Sequence, residues 1–108
     1  MKHAYIAGPM STCIDFNFPA FYEAEGKLVC QGYKVFNPAR EDIYEWGSLE
    51  EVKKHATYRH CLRKDINYLL SIDPKDMTIF LLKGWEESKG VAVELALAKA
   101  VGIKTEVL

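Results

Sequence analysis

The six residues Met77-Thr-Ile-Phe-Leu-Leu82 contain no charge and no alternation of apolar with polar side chains. A strand of that kind has no face to give to water, so it belongs inside a parallel sheet covered on both sides by helices. The rest of the chain supplies the neighbours. Residues 3–7 are apolar and stop at Gly8-Pro9, which marks a short strand and a turn. Residues 10–17 are polar and irregular. Asn17 can cap a helix that takes Pro19 in its first turn, carries Phe21, Ala24 and Leu28 at apolar spacing, and stops at Gly32. Residues 34–38 read as a second strand closed by Asn37-Pro38, and 39–47 as a loop. Ser48 and Glu51 form a capping box that opens a helical segment to Ile72. Its apolar stripe is Leu62, Ile66, Leu69 and Leu70, and a break is expected near its middle. Asp73-Pro74 stops it. After the apolar run come a loop over 83–89, a helix from Ser88 to Gly102 and a terminal strand over 104–108. The order β-α-β-α-β-α-β, with helix-length crossovers, predicts an α/β chain with a parallel sheet and right-handed connections. With 108 residues, one domain over 1–108 is expected.

Composition narrows the function. A net charge of −1 gives no global field for a nucleic-acid polymer or an anionic membrane. No apolar run is long enough to span a bilayer, and the N-terminus leads into a strand rather than a signal segment. Cys13, Cys30 and Cys61 are odd in number and scattered, with neither a CxxC pair nor zinc spacing. A reduced, cytoplasmic protein is therefore expected. His55 and His60 are five apart, on different faces of a helix, so no metal site is expected. GxGxxG, GxxxxGK[ST] and GxSxG strings are all missing, which argues against dinucleotide folds, phosphate-loop ATPases and nucleophile-elbow hydrolases.

The informative charge is Glu94, inside Gly90-Val-Ala-Val-Glu-Leu-Ala-Leu-Ala-Lys-Ala-Val-Gly102. A helix apolar on nearly all sides is expected to be buried, with Lys99 as its solvent face, and an ionised group there needs compensation or a task. In parallel sheets ligands bind beyond the carboxyl ends of the strands. That edge collects the loops 8–17, 37–47 and 83–89 and the start of the Glu94 helix, whose positive end is expected to keep Glu94 ionised. Asp65 offers a second carboxylate. It reads as a surface acid paired with Lys64 or Arg63, or as the partner of Glu94 in glycosyl chemistry, in which one carboxylate attacks an anomeric carbon and the other manages the leaving group's proton. Backbone N–H groups of residues 8–11, and the hydroxyls of Ser11, Thr12 and Ser88, are candidates to grip a sugar and its 5′ end. Phe16, Phe18 and Trp46 are loop aromatics that would suit a partner surface.

These residues together resemble the nucleoside 2-deoxyribosyltransferase-like superfamily, in particular its small, often phage-encoded members. The likeness covers essentially the whole chain. It is carried by Tyr5-Ile-Ala-Gly-Pro-Met10, Asn37-Pro38, Asp65, Asp76-Met-Thr-Ile-Phe-Leu-Leu-Lys-Gly-Trp85, Ser88-Lys-Gly-Val-Ala-Val-Glu94 and Ala98. It implies a flavodoxin-like (Rossmann-like) three-layer sandwich with a small parallel sheet of four to five strands. It also implies N-glycosidic bond cleavage or transfer on 2′-deoxyribonucleosides or their 5′-monophosphates. Glu94 would be the nucleophile on C1′, Asp65 the acid near the leaving base, and Tyr5 the group that holds Glu94. Gly8, Pro9, Met10, Ser11, Asn37, Trp85, Ser88 and Gly90 would line the substrate, with Gly8 admitting it to the backbone and Trp85 stacking on a base. No metal or organic cofactor is implied, and the partners would be a nucleoside or nucleotide and further copies of the chain in a homo-oligomer.

Two departures refine this. The base-exchanging transferases carry an acid at the position of Ser88, and a serine there is similar to the relatives that hydrolyse deoxynucleoside 5′-monophosphates. Those relatives place basic residues in the first loop, whereas residues 10–17 have none, so Arg40, Arg59, Arg63 or Lys89 would have to meet a phosphate. The transferases also close their pocket with a neighbour's C-terminal segment. The present sequence reaches only Leu108, and closure is expected from an oligomer. The alternative function is a nucleotide-binding or sequestering protein that keeps the pocket without the chemistry.

Overall fold

The computed structural model describes residues 1–10 and 14–108. Four strands, β1 (His3–Ala7), β2 (Lys34–Phe36), β3 (Met77–Leu81) and β4 (Lys104–Val107), form one all-parallel sheet in the order β2-β1-β3-β4. Five helices connect them: α1 (Phe18–Cys30), α2 (Pro38–Trp46), α3 (Leu49–His55), α4 (Tyr58–Ser71) and α5 (Lys89–Val101). This is the expected α/β three-layer, flavodoxin-like arrangement. The chain runs outward from β1 to β2, then crosses back to β3, so the topological switch point lies between β1 and β3. Among the described residues no helix is long and apolar enough to cross a membrane.

The period-two geometry of the strands sorts the core into two layers. Ala4, Ile6, Val35 and Phe80 point to one face and meet Phe21, Ala24 and Leu28 of α1, Ala39 of α2 and Val52 of α3. Tyr5, Ala7, Phe36, Met77, Ile79 and Leu81 point to the other and meet Leu69 of α4 with Val91 and Ala98 of α5. Met77, Ile79, Phe80 and Leu81 of β3 are at most 4 % exposed, and Thr78 alone in the strand is partly exposed.

Several sequence expectations are corrected. Residues 39–47 are not a loop, because α2 occupies 38–46. Asn37 accepts the Ala39 N–H at 2.9 Å, Pro38 fills the first helical position, and Gly47 ends the helix at φ +94°. Asn37-Pro38 is thus a helix start as much as a strand end. The next segment does break: Ser48 caps α3 and Thr57 caps α4. Leu70 is exposed rather than part of the α4 stripe, whereas Leu69 is 1 % exposed. Asn17 stands at the N-cap of α1, yet in a left-handed conformation its side chain makes no cap; it donates to the Pro9 carbonyl at 3.0 Å instead. Helix α5 buries only the stripe Val91, Glu94 and Ala98. Ala92, Val93, Ala96 and Ala100 face outward beside Lys99, since small side chains favour the helix and expose little apolar area. The proposed aromatic surface is core packing: Phe18 is 5 % exposed, Phe16 and Trp46 pack against the first layer, and Trp46 stacks on His55 at 5.6 Å.

Candidate functional site

A cavity of about 650 Å³ opens at the switch point, floored by the carboxyl end of β1 and walled by α4, α5 and the loop after β3. That volume is in the range of small-molecule sites. Tyr5, Asp65 and Glu94 meet in it. Tyr5 is fully buried on the second sheet face, and its hydroxyl donates to Glu94 Oε2. The ring is held from behind: Tyr5 stacks on its in-register neighbour Phe36 at 5.4 Å, and Phe36 stacks on Tyr68 of α4 at 4.1 Å. A strand residue whose ring cannot rotate aims its hydroxyl at one place. Neither Phe36 nor Tyr68 was singled out from the sequence, although Phe36 sits in a strand and Tyr68 lies three residues after Asp65.

Glu94 is 5 % exposed, and burial is the main reason its carboxyl is pushed up to about 8, with the charge of Asp65 adding to the rise and the Tyr5 hydrogen bond opposing it. This reverses the expectation that the helix start keeps Glu94 ionised. Helix α5 begins at Lys89, so Glu94 is its sixth residue, and the dipole's influence fades within the first turn. Asp65 is half-buried rather than a solvated surface acid. Burial, then the charge of Asp42, raises its carboxyl to about 7 against the opposing effects of Tyr5 and Lys64. Burial, and then the charges of Glu94 and Asp65, hold the Tyr5 hydroxyl well above the usual phenol range. Near neutral pH the pair therefore holds at least one proton, shared around a neutral tyrosine.

The rim comes from the first loop and the start of α5. Ser88 caps that helix, accepting the Val91 N–H at 3.3 Å, and its own hydroxyl proton remains available to a ligand. A Cβ on Gly90 would sit 3.8 Å from the Tyr58 hydroxyl and 3.9 Å from Ser88 Oγ, in ordinary contact. The fold thus does not require that glycine; it widens the mouth. Gly8, Pro9 and Met10 line the cavity too. Gly8 has a packing reason of its own, since a Cβ there would lie 2.8 Å from Leu82 Cβ. Ser11 and Thr12 lie outside the described residues.

Two predicted residues are placed elsewhere. Asn37 is fully buried, with its oxygen on Ala39 and its amide donating to Glu25 at 3.1 Å. Trp85 packs against the second core layer and does not line the cavity. Of the cations considered for a phosphate, Arg40 is paired with Glu25 and donates to the Val35 carbonyl at 2.9 Å, and Arg59 and Arg63 are exposed away from the lining. Lys89 is at the rim, joined by Lys83, which had not been considered. Tyr58, Cys61 and Leu62 of α4 also line the cavity. Cys61 and Leu62 precede Asp65 by four and three residues on its own helix, so the period that places Asp65 at the cavity would have found them.

Residues 2–107 match the model of the family described as Domain of unknown function (DUF4406), and the chain belongs to that family. No curated protein and no solved structure matches the chain.

Proposed function

We propose that this DUF4406 member cleaves or transfers the N-glycosidic bond of 2′-deoxyribonucleosides or their 5′-monophosphates. The observation that supports it is the convergence of the buried Glu94 and the half-buried Asp65 on one fixed tyrosine hydroxyl at the floor of a cavity of nucleoside size. In this reading the Glu94 carboxylate attacks C1′ while the C1′–N bond breaks. The bond's electron pair leaves with the base, which takes the proton from Asp65. Water or a second base then attacks C1′, gives its proton to the Asp65 carboxylate and releases Glu94 as the carboxylate. The reactive arrangement has Glu94 ionised and Asp65 protonated. Burial raises both carboxyls, Glu94 to about 8 and Asp65 to about 7, so near neutral pH the pair shares a proton, and one of its two arrangements is the reactive one. The Tyr5 hydroxyl favours the ionised form of Glu94 and so supports that arrangement.

A second reading draws on the same fact. A Glu94 that carries a proton at rest suits a site that holds a nucleotide without attacking it. Incubation with each deoxynucleoside and its 5′-monophosphate, followed by chromatography for free base, separates the two. Base release by the wild type and none by Glu94→Ala supports the enzyme. Tight binding without release from any substrate supports the binder.

A further inference from the structure

A third carboxylate is buried behind the cavity wall, and the chemistry above gives it no part. Asp42 of α2 is 5 % exposed. Its Oδ1 accepts from the Lys64 ammonium at 3.4 Å and lies 3.8 Å from Cys61 Sγ. Both partners belong to α4. Cys61 lies one turn before Asp65 on the same helix face and also lines the cavity, and side chains so spaced have Cβ atoms ~6 Å apart. Asp42 therefore lies against the residue that stands one turn before Asp65 on α4. The thiol records both acids: burial, then Asp42, then Asp65 push it up to about 12, so it stays a neutral S–H. Lys64 cancels Asp42 only in part, because its ammonium sits closer to Glu45, at 2.7 Å, and Glu45 is also joined to His60 at 2.6 Å.

We propose that Asp42 is a positioning residue whose buried carboxylate, held against Cys61 and Lys64 of α4, keeps on Asp65 the proton that a departing base must receive. The inference rests on Asp65 being the acid of the proposed function. The groups that act on Asp65 are Asp42 from α2, Tyr5 from β1 and Lys64 from its own helix, and Asp65 in turn acts on Glu94 of α5 and on Cys61. Tyr22 of α1 and Glu45 lie in the field of Asp42. Asp42 is the charged neighbour that drives Asp65 upward, against Lys64 and Tyr5.

The test is a carbon-13 NMR titration of the Asp65 carboxyl in the wild type and in Asp42→Asn, without substrate. Loss of the charge lowers the Asp65 midpoint by about one pH unit, and where base is released kcat/KM falls near neutral pH, because less of the protein keeps the proton on its acid. A clamp between α2 and α4 with no electrostatic part would lower the melting temperature and leave the midpoint in place, which overturns the proposal. Should Asp42→Asn fail to fold, the wild type decides: the Asp65 resonance must show a second inflection where Asp42 ionises, and its absence overturns the proposal. Because the titration needs no turnover, a wild type that releases no base refutes the proposed function alone. An unmoved midpoint in a protein that does release base refutes only the role of Asp42.

Discussion

Replacing Glu94 by Gln should make the protein more stable at alkaline pH, although the change removes a group from the centre of the site. The carboxyl is raised from its ordinary 4.5 to about 8, chiefly by burial. Each pH unit of that rise corresponds to about 1.4 kcal/mol, so ionising Glu94 inside the folded protein costs on the order of 5 kcal/mol. The sign follows from proton counts. Below the unfolded value both states hold the proton and nothing depends on pH. Between 4.5 and about 8 the unfolded chain has released it while the folded one retains it, so stability falls as pH rises and levels off above the folded value. Gln keeps an acceptor for the Tyr5 hydroxyl and has no proton to release. Urea denaturation of both proteins at intervals from about pH 4 to about pH 9 gives the difference directly. Wild type and variant should agree to within about 1 kcal/mol at the acid end, and the variant should lead by a few kcal/mol at the alkaline end. Parallel curves across the range would mean that Glu94 is hydrated in solution and that the buried, proton-sharing site is wrong.

The neighbours of Glu94 should move its titration in opposite directions. Tyr5→Phe removes the hydrogen bond that favours the ionised form and raises the Glu94 midpoint, whereas Asp65→Asn removes a repelling charge and lowers it; carbon-13 titration of the Glu94 carboxyl reads both, and a shared direction would contradict the assignment. Base release should be bell-shaped in pH with its maximum between about 7 and about 8, because the reactive pair carries one proton; a rate rising monotonically to alkaline pH would exclude Asp65 as the acid. Gly8→Ala should destabilise the fold by about 1–3 kcal/mol in denaturation, since the added Cβ meets the Leu82 Cβ at 2.8 Å; an unchanged midpoint would show that β1 shifts freely. Asn37→Ala should cost about 1–2 kcal/mol through the lost α2 cap and leave ligand affinity in place, as measured by calorimetry; a loss of affinity without a loss of stability would return Asn37 to the binding site.

How far the sequence reached depends on what kind of signal each feature leaves. The sheet was legible because Met77–Leu81 has no polar face and because Gly8-Pro9, Gly32 and Gly102 punctuate the chain where strands and helices change. Glu94 was legible as a charge in an apolar helix, and Asp65 only beside it. Helix α2 was hidden, because Asn37-Pro38 ends a strand and starts a helix with the same two residues. The ionisation of Glu94 was misjudged for a reason of scale: the helix dipole is local, whereas burial depends on every layer packed around the side chain. The stack Tyr5–Phe36–Tyr68 joins three elements far apart in the chain, and no local pattern announces such a contact. The role of Asp42 has the same origin, since it acts on α4 from α2 across one cysteine.

The central claim is that Glu94 attacks a deoxyribose, and acid quenching during turnover tests it most directly. Protein mixed with a deoxynucleoside or its 5′-monophosphate is quenched, digested and analysed by mass spectrometry for the peptide that contains Glu94. The account predicts a deoxyribosyl adduct on that peptide in the wild type, accumulating in Asp65→Asn when the base is a good leaving group, and absent from Glu94→Gln. Free base appearing with no adduct at any quench time, and persisting at the wild-type rate in Glu94→Gln, would contradict it.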